Sequence, residues 1–489
     1  MADKQAIKLS KIDVTKIVAS GDAISRIPAA IARRFGILPI AINEDQLKVV
    51  LSDPDNFAGV SQIESRTGLL VEVLKSKNSH DVSVAIERYY PKGIENEDSP
   101  LGQFELIVNR ALQLRSSDIH LDPEDEVGFI RMRIDGLMRV DKEMPVDELH
   151  ELVSAIKVSA SLDIAEHRIP QDGQVALNTN GAEISMRVAT IPTVNGEKVT
   201  LRILSTASVD TSLTNLDGLG MLKTHNKLFQ NALNYSDGVI LLSGPTGSGK
   251  TTTLYAALRH LKKPGTKHIL SIEDPVEIPL EGINQVHVDS ERVSFNKALR
   301  STLRHDPDII MIGEIRDSET ADIAVKSALT GHLVLSTLHA NDSLGVITRL
   351  LNLGVSNELV TSSIRLVIAQ RLVRKPCQHC VKLSSPPETL QELSKNLGFE
   401  TCPNIPIAQG CELCGHTGYS GRIGLYEMIP IDKKIREQIR EGQSFDKIAE
   451  EVFKTQNLPT IVKDGLEKVF AGLTTFEEVC RVTYLGSES

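Results

Sequence analysis

The segment GPTGSGKT at residues 244–251 constrains the fold of this chain more than any other feature. It follows an apolar run at 239–242 and opens a helical pattern over 252–261. Glycines in such a turn let backbone N–H groups close around phosphates, and the start of the following helix adds partial positive charge. Because the turn lies between a strand and a helix, the sequence predicts a P-loop nucleotide site rather than a turn without a ligand.

Roles for individual residues follow from this pattern. Lys250 is expected to reach the β- and γ-phosphates, and the hydroxyl of Thr251 is expected to bind Mg²⁺. The cofactors predicted at this site are therefore ATP and Mg²⁺. The residues predicted to bind the nucleotide are Gly244, Pro245, Thr246, Gly247, Ser248, Gly249, Lys250, Thr251 and Thr252.

Three further apolar runs, at 269–272, 309–312 and 333–335, alternate with helical patterns between about residues 218 and 375. Short apolar strands separated by helices predict a parallel sheet that is covered on both faces. Glu314 ends the segment that begins at Asp308, which has the form of a Walker B strand. We expect this strand to lie beside the P-loop strand, so that its carboxylate supports Mg²⁺ or orients water.

Other polar side chains follow the remaining strands. Glu273 and Glu277, in the segment IEDPVE at 272–277, are candidates for polarising the attacking water, and a solvated acidic turn before a proline is the alternative. His332 and His339 flank the fourth apolar run, where a histidine can sense the γ-phosphate. For each histidine, a structural role is an equally open reading of the sequence.

The length of 489 residues predicts two to four domains. Residues 1–95 have the pattern of a small α/β unit, with a helix at 29–35 and a strand pair at 37–42 and 46–51. A polar linker at 95–100 leads to a second unit, 96–205, which begins with a helix and continues with alternating strands that include 127–134 and 182–188. The remaining divisions predicted are a hinge linker at 206–217 and an ATPase domain at 218–489, with a cysteine module at 376–420 and helices at 430–489.

Two C-x-x-C pairs are separated by 30 residues: Cys377 with Cys380, and Cys411 with Cys414. Four thiolates suit a tetrahedral Zn²⁺ that leaves no position for water, so the predicted site is structural. Reduced core cysteines are the alternative, and the spacing does not distinguish zinc from another metal. Cys402 and Cys480 have no pairing motif and are predicted to be packing residues.

Charge and hydropathy limit the partners. The net charge of -10 and the aromatic content of 4%, with no tryptophan, argue against a protein that coats nucleic acid. No run approaches the roughly 18 apolar residues of a membrane span, and the first 16 residues lack the apolar region of a secretory signal. The sequence predicts a cytoplasmic protein that associates with a membrane through its partners.

Four motifs in a fixed order, at 244–251, 272–277, 313–317 and 330–342, resemble the secretion ATPase family of type II secretion systems and type IV pili. The resemblance covers nearly all of the chain beyond residue 100. The unit at 96–205 is similar to the N-terminal domain of that family. The stretches that match it are 117–120, 131–136, 168–173 and 187–190.

The resemblance implies an active site between two domains, completed by arginines whose guanidinium groups neutralise the γ-phosphate. The candidate arginines are Arg131, Arg133, Arg187 and Arg202, with Arg300 and Arg304 in the core; for each of them an ordinary surface position is the alternative. It also implies that Glu273 and Glu277 help to activate water, that Glu314 supports Mg²⁺, and that His339 is the functional histidine. Which glutamate is the principal base stays open.

The tetracysteine insertion and the extra N-terminal domain resemble assembly ATPases rather than retraction motors. The predicted fold is α/β: a RecA-like P-loop core with a parallel sheet, preceded by two smaller α/β or α+β domains, with a cysteine insertion and C-terminal helices. The resemblance implies a homo-hexamer that works with the cytoplasmic domain of an inner-membrane anchor protein and with a polytopic platform protein. A type II secretion system and a type IV pilus are both compatible with these motifs.

Some relatives bind a cyclic dinucleotide in the N-terminal region through a repeated Arg-Leu-Gly motif. Residues 34–36 (Arg-Phe-Gly) match that motif only in part and are not repeated, so cyclic dinucleotide binding is not expected. Residues 1–95 are instead expected to dock a membrane-anchored partner. Two other function classes remain as alternatives: a nucleic-acid translocase or conjugative DNA motor, and a nucleotide-gated scaffold that hydrolyses ATP slowly.

Overall fold

The structure is a computed structural model, and its chain divides into two units. The first comprises residues 1–207, 377–380 and 409–420, and the second comprises 208–376, 381–408 and 421–489. Most of the predicted linkers, at 95–100 and 206–217, lie outside the described residues. The described residues are 11–12, 14, 17–43, 46–53, 56–76, 78–90, 99–179, 182–205, 215–262, 265–288, 294–340, 342–455 and 458–483.

The first unit opens with a four-stranded sheet, in the order β1-β4-β3-β2, packed against helices. Its elements are β1 (Lys11–Ile12), α1 (Gly21–Arg26), α2 (Ala29–Phe35), β2 (Ile37–Asn43), β3 (Gln46–Leu51), α3 (Phe57–Thr67), β4 (Leu70–Ser76) and α4 (Ser79–Tyr89). The predicted helix at 29–35 is confirmed, and it ends at Gly36, whose φ of 61° gives the left-handed cap. The predicted strand pair is also confirmed, because β2 and β3 run antiparallel.

The same unit continues with a six-stranded antiparallel sheet in the order β7-β6-β5-β10-β9-β8. Its elements are α5 (Pro100–Gln113), β5 (Ser116–Pro123), β6 (Val127–Ile134), β7 (Leu137–Pro145), α6 (Val146–Ser159), β8 (Gln171–Thr179), β9 (Ala182–Thr193) and β10 (Gly196–Ser205). Along β6, Ile130 and Met132 are buried and the residues between them are not, as the period of two predicts. They pack with residues of α5 and α6, so the residues that alternate with them point to the opposite face.

The second unit is built on a seven-stranded sheet in the order β13-β12-β14-β15-β11-β16-β19. Its strands are β11 (Gly238–Ser243), β12 (Ile269–Glu273), β13 (Asn284–His287), β14 (Ile309–Ile312), β15 (Leu333–Leu338), β16 (Ile364–Pro376) and β19 (Tyr419–Pro430), and a separate pair is formed by β17 (Lys382–Ser384) and β18 (Ile405–Ile407). The pairings from β13 through β16 are all parallel. This arrangement confirms the predicted P-loop core.

Helices cover both faces of this sheet. Val239 and Leu241 of β11 belong to one apolar cluster, while Ile240 and Leu242 belong to another. Successive residues of a strand point to opposite faces, so the two clusters lie on either side of the sheet. The helices are α7 (Lys223–Leu233), α8 (Lys250–Lys262), α9 (Phe295–Thr302), α10 (Ser318–Leu329), α11 (Gly345–Asn352), α12 (Asn357–Ser363), α13 (Glu388–Asn396), α14 (Lys433–Arg440), α15 (Phe445–Thr455), α16 (Ile461–Phe470) and α17 (Phe476–Thr483).

The expectation that the Walker B strand lies beside the P-loop strand is wrong. β14 pairs with β12 and β15, and β11 pairs with β15 and β16, so β15 separates the two. The reason is that all three strands are apolar and fully buried, and local sequence does not specify their order in the sheet. Because the strands are parallel, Glu314 and the P-loop still follow strand ends at the same edge.

The described residues after 430 contain four helices, α14 to α17. Buried ion pairs join them to the sheet of the second unit: Arg374 of β16 contacts Glu478 of α17 at 2.7 Å. No helix in the described part of the chain combines the length and the apolar character that crossing a membrane requires.

Candidate active site

The P-loop lies between β11 and α8, and its glycines hold conformations that other residues rarely adopt. Gly247 and Gly249 have φ values of 77° and 87°. A Cβ atom at Gly244 would lie 2.4 Å from the carbonyl oxygen of Gln370 on β16, so this position has no room for a side chain. The loop therefore keeps its backbone N–H groups close to the start of the 13-residue helix α8, where an anion is favoured.

Lys250 and the threonines that follow it form the polar lining of this loop. The Nζ of Lys250 donates to the carbonyl oxygens of Gly244 at 2.7 Å and Pro245 at 3.1 Å. Burial lowers the pKa of Lys250, and the nearby charge of Glu314 acts in the opposite direction. Thr251 is exposed and Thr252 is half-buried. An ammonium group, an exposed hydroxyl and a helix start are the groups that a triphosphate with Mg²⁺ requires, so these residues fit ATP.

Glu314 lies two residues beyond β14 and is the centre of a polar cluster. Its Oε1 is 3.0 Å from Nε2 of His339, which directly follows β15. Its Oε2 accepts from Nε of Arg316 at 3.2 Å, and Arg316 also lies 3.7 Å from Asp274. The structure thus brings Glu314 and His339 together beside the charge of Lys250.

Glu273 and Glu277 lie at the two ends of an acidic turn after β12. Glu273 is 3% exposed, and its carboxylate accepts hydrogen bonds from Tyr255, Ser271 and Gln285. The backbone N–H of Glu277 donates to the hydroxyl of Tyr255 at 3.3 Å. The two glutamates therefore have different surroundings: Glu273 is enclosed, whereas Glu277 is exposed.

The two histidines lie at opposite ends of β15. His332 precedes the strand, and its Nδ1 is 2.9 Å from the carbonyl oxygen of Ser327. His339 follows the strand, at the edge where the P-loop and Glu314 also lie. The geometry therefore favours His339 over His332 as the histidine of the nucleotide site.

The predicted arginines of the first unit lie on neighbouring strands. The register places Arg133 of β6 opposite Asp118 of β5, Asp118 opposite Arg202 of β10, and Arg202 opposite Arg187 of β9. Residues directly opposite each other in a sheet share a face, so these three arginines form one row across it, with Asp118 inside the row. Arg131 lies two residues along β6, on the same face.

Carboxylates of the same unit bind each of these arginines. Arg202 contacts Asp118 at 2.8 Å and Arg133 contacts it at 3.5 Å. Burial alone would raise the pKa of Asp118, but hydrogen bonds from Arg202 and Ser117 hold it below its usual range. The other pairs are Arg131 with Asp122 at 2.5 Å and with Glu124 at 2.8 Å, and Arg187 with Asp172 at 3.4 Å.

The two core arginines lie on or just after α9. Arg300 contacts Glu319 at 2.6 Å, and Arg304 is 3.4 Å from the hydroxyl of Ser301. Both line a cavity of about 460 Å³. The carboxylate of Glu319 partly neutralises the guanidinium of Arg300, which weakens the attraction of this arginine for a phosphate.

The four predicted metal ligands form one cluster. The sulfur atoms of Cys377, Cys380, Cys411 and Cys414 all lie within 4.8 Å of one another. Three of the pairs, 377 with 411, 380 with 414 and 411 with 414, are 3.8 to 4.0 Å apart. Tetrahedral Zn²⁺ with bonds of about 2.3 Å needs sulfur atoms about 3.8 Å apart. The cluster is therefore compatible with zinc, and the 30-residue separation is bridged because the pairs follow β16 and precede β19, which are neighbours in the sheet.

One cysteine of this cluster, Cys414, has a pKa below the usual value of a thiol. Burial works against ionisation, but backbone N–H groups of Cys411 and Gly418, each 3.2 Å from Sγ of Cys414, lower its pKa to about 7. Cys402 lies elsewhere: its sulfur accepts from Ser394, and it packs against an apolar cluster. The interpretation of Cys402 as a packing residue is thus in agreement with its contacts.

Replacing Cys411 with serine is expected to abolish metal binding, because three sulfur ligands and a hydroxyl bind Zn²⁺ far more weakly than four thiolates. Elemental analysis of the purified chain should show about one zinc per wild-type chain and nearly none in Cys411→Ser. Cys402→Ser is the matched control and should keep the metal. Equal zinc content in Cys411→Ser and wild type would show that the cluster is not the metal site.

Comparison with known proteins identifies the family. The sequence model described as "Type II/IV secretion system protein" matches residues 95–481. The chain belongs to this family. A second model, described as "MshEN domain", matches residues 7–96, and the two matches meet near the predicted boundary at residue 95.

Several members of the family are similar over most of the chain. It is 38% identical to the type II secretion system protein E of Pseudomonas aeruginosa, with 94% of this chain and 96% of that protein covered. It is 36% identical to the type IV pilus assembly ATPase PilB of Thermus thermophilus, with 93% of this chain and 54% of that protein covered. The chain therefore spans about half the length of the Thermus relative. With its P-loop, it is an ATP-hydrolysing member of the family.

Solved structures share the fold. The pilus retraction motor PilT with bound ADP superimposes with a TM-score of 0.53 at 24% identity, covering 79% of this chain and 98% of that chain. The ATPase DotB of Legionella pneumophila gives a TM-score of 0.58 at 20% identity, covering 79% of this chain and 96% of that chain. At these identities the likeness shows the secretion ATPase fold alone.

Several residues that contact the predicted site residues were not identified from the sequence. Arg316 follows Glu314 by two positions in a motif that was recognised, but no role was assigned to it. Asp118 lies in the recognised stretch 117–120 and binds two of the predicted arginines. Tyr255 could have been found from helical spacing, because a tyrosine on the buried face of α8 needs a hydrogen-bond partner.

Proposed function

We propose that the chain forms a homo-hexameric ring whose ATP hydrolysis assembles a type II secretion pseudopilus or a type IV pilus through an inner-membrane platform. The observation that carries the proposal is the P-loop at 244–251 with Glu314 and His339 at the same sheet edge, in a chain of this family. The relatives named above are a type II secretion protein and a type IV pilus assembly ATPase.

Roles at the nucleotide follow from the contacts. Lys250 neutralises the phosphates once they replace its two backbone carbonyl partners, and the exposed hydroxyl of Thr251 binds Mg²⁺. We assign Glu314 as the principal base. It lies near the charge of Lys250, and its side chain is partly exposed, so that water can reach it. His339, 3.0 Å from Glu314, orients that carboxylate and responds to the γ-phosphate.

The arginine row supplies positive charge for the transition state. Phosphoryl transfer spreads negative charge over the γ-oxygens, which planar guanidinium groups neutralise. Arg133, Arg187 and Arg202 share one face of their sheet and are bound to carboxylates. In the proposed cycle ATP competes with those carboxylates, the arginines close on the triphosphate of the same or a neighbouring subunit, and the closure is the mechanical step.

The ring acts at the cytoplasmic face of the inner membrane. Its proposed partners are the cytoplasmic domain of an anchor protein, which residues 1–95 bind, and a polytopic platform protein that adds pilin subunits. A nucleic-acid translocase is the alternative from another class; the net charge of -10 and the lack of tryptophan disfavour it.

Cross-linking and purification of the tagged full chain from membranes test the proposal. We expect recovery of a polytopic platform protein and an anchor protein, and a hexamer by mass photometry in the presence of ATP. The same protein should show no more than a twofold change in ATP turnover on addition of single-stranded DNA. Recovery of nucleic acid in place of the membrane proteins, with DNA-stimulated turnover, would contradict it.

A further inference from the structure

A buried tyrosine joins the P-loop helix to the acidic turn. Tyr255 lies on α8, five residues after Lys250, and is 1% exposed. Its hydroxyl donates to Oε2 of Glu273 at 2.5 Å and accepts from the backbone N–H of Glu277 at 3.3 Å. One phenol oxygen therefore contacts both ends of the turn that carries the predicted water-activating glutamates.

Glu273 is enclosed by donors on both of its oxygens. Besides Tyr255 at Oε2, the hydroxyl of Ser271 donates to Oε1 at 2.6 Å and the amide of Gln285 donates to it at 3.0 Å. A carboxylate accepts about four hydrogen bonds in all, so three of these sites are taken inside the protein. The remaining acceptor position is on Oε2, and the 3% exposure of Glu273 leaves little access for Mg²⁺ or water to bind there.

Further hydrogen bonds shape the turn between Glu273 and Leu280. The backbone N–H of Leu280 donates to Oε1 of Gln285 at 2.6 Å, and the amide of Gln285 also donates to the carbonyl oxygen of Ile278 at 3.1 Å. The N–H of Val276 lies 3.3 Å from Nδ1 of His287. These contacts attach the turn to β13, whereas Tyr255 attaches it to the helix that carries the P-loop.

The turn is also connected to Glu314, the proposed base, through Arg316. Asp274 lies 3.7 Å from Nη1 of Arg316, whose Nε donates to Glu314 at 3.2 Å. A continuous chain of contacts thus leads from α8 through Tyr255, the turn and Arg316 to Glu314. A displacement of the turn would therefore be transmitted to both sides of the nucleotide site.

We propose that Tyr255 is a positioning residue for ATP hydrolysis, which sets the acidic turn relative to the P-loop, and that Glu273 is the anchor it binds rather than a group that touches the nucleotide. The inference rests on the proposed ATP hydrolysis at the P-loop and on the expectation from the sequence that the acidic turn helps to activate water. Burial, and then the neighbouring Glu273, raises the pKa of Tyr255, so the hydroxyl remains a donor at working pH. Glu277 and Asp274, which are exposed, are then the carboxylates of the turn that are left to act on the nucleotide or on water.

Replacing Tyr255 with phenylalanine tests this role, because the ring stays in the apolar cluster and only the hydroxyl is lost. With magnesium ATP as substrate, we expect kcat to fall about tenfold while KM stays within about twofold of wild type. A purely structural tyrosine would lower the melting temperature without this split between kcat and KM. Tyr235→Phe, at an exposed tyrosine, is the matched control and should change neither constant.

A double-mutant cycle separates anchoring from direct catalysis. If Tyr255 acts through Glu273, Tyr255→Phe and Glu273→Gln each lower kcat by about tenfold, and the double variant is no slower than the slower single variant. Multiplicative losses in the double variant would overturn the inference, as would wild-type kcat in Tyr255→Phe. A loss in Glu273→Gln that exceeds the Tyr255→Phe loss by a hundredfold would overturn the anchoring role.

Glu277→Gln and Lys250→Ala together distinguish failure of this inference from failure of the proposed site. A low kcat in Glu277→Gln together with a wild-type kcat in Tyr255→Phe would leave the acidic turn in the reaction and remove the positioning role. Wild-type turnover in Glu277→Gln would show that the turn takes no part in hydrolysis, which overturns the inference but not the site at Lys250 and Glu314. Wild-type turnover in Lys250→Ala would instead overturn the proposed site.

Discussion

Replacing Lys250 with alanine is expected to lower ATP turnover by at least about a hundredfold while the fold is retained. The ammonium group donates only to carbonyl oxygens of the loop itself, at Gly244 and Pro245, so its loss leaves the apolar clusters untouched. Without it, the negative charge of the transferring phosphate has lost its nearest fixed cation. Phosphate release measured with purified protein checks the first part, and circular dichroism with a melting curve checks the second.

A matched lysine provides the control. Lys326 lies exposed on α10, where it pairs with Asp322 at 2.7 Å. Since such a surface pair contributes at most about 1 kcal/mol to stability, Lys326→Ala should keep wild-type turnover. Wild-type turnover in Lys250→Ala would show that hydrolysis does not take place at this loop.

The second large effect is expected at Glu314. Glu314→Gln keeps the size and one hydrogen-bond acceptor of the side chain but removes its ability to take a proton from water, so we expect kcat to fall by about 10² to 10⁴. Binding of a fluorescent ATP analogue should change by less than about threefold, because Lys250 and the P-loop backbone are unaffected. Rapid-quench kinetics in a single turnover, alongside an equilibrium titration, measures both quantities.

Comparing the activities of Glu314→Gln, Glu277→Gln and Glu358→Gln decides which glutamate is the principal base. Glu358, exposed on α12, is the control, and Glu358→Gln should leave both turnover and binding unchanged. If Glu277→Gln loses more activity than Glu314→Gln, the principal base lies in the acidic turn and the assignment of Glu314 is incorrect.

The parts of this fold that were predictable are those with local signals. The strands β11, β12, β14 and β15 were predicted because each contains a short apolar run of three or four residues that is bounded by polar ends. The P-loop was found because its glycines must adopt positive φ at fixed positions between a strand and a helix. The cysteine cluster was found because C-x-x-C spacing already places two sulfur atoms together.

The strand order and the side-chain pairings could not be predicted, because they depend on contacts between residues that are far apart in the sequence. The order of the buried strands puts β15 between the P-loop and Walker B strands, and nothing in three equally apolar segments encodes that order. The pairing of Arg202 with Asp118, 84 positions apart, depends on β10 lying beside β5. Similarly, Tyr255 on α8 donates to Glu273 on β12, and the sequence pattern within α8 cannot reveal this partner.

In the proposed cycle, nucleotide bound at the P-loop draws the arginine row onto the γ-phosphate. A structure of the oligomer with a non-hydrolysable ATP analogue and Mg²⁺ tests this step. We expect at least one guanidinium among Arg131, Arg133, Arg187 and Arg202 to lie within about 3 Å of a γ-phosphate oxygen, with its bond to Asp118, Asp122 or Asp172 broken. Intact carboxylate pairs and arginines remote from every triphosphate, within a subunit and across its neighbours, would contradict it.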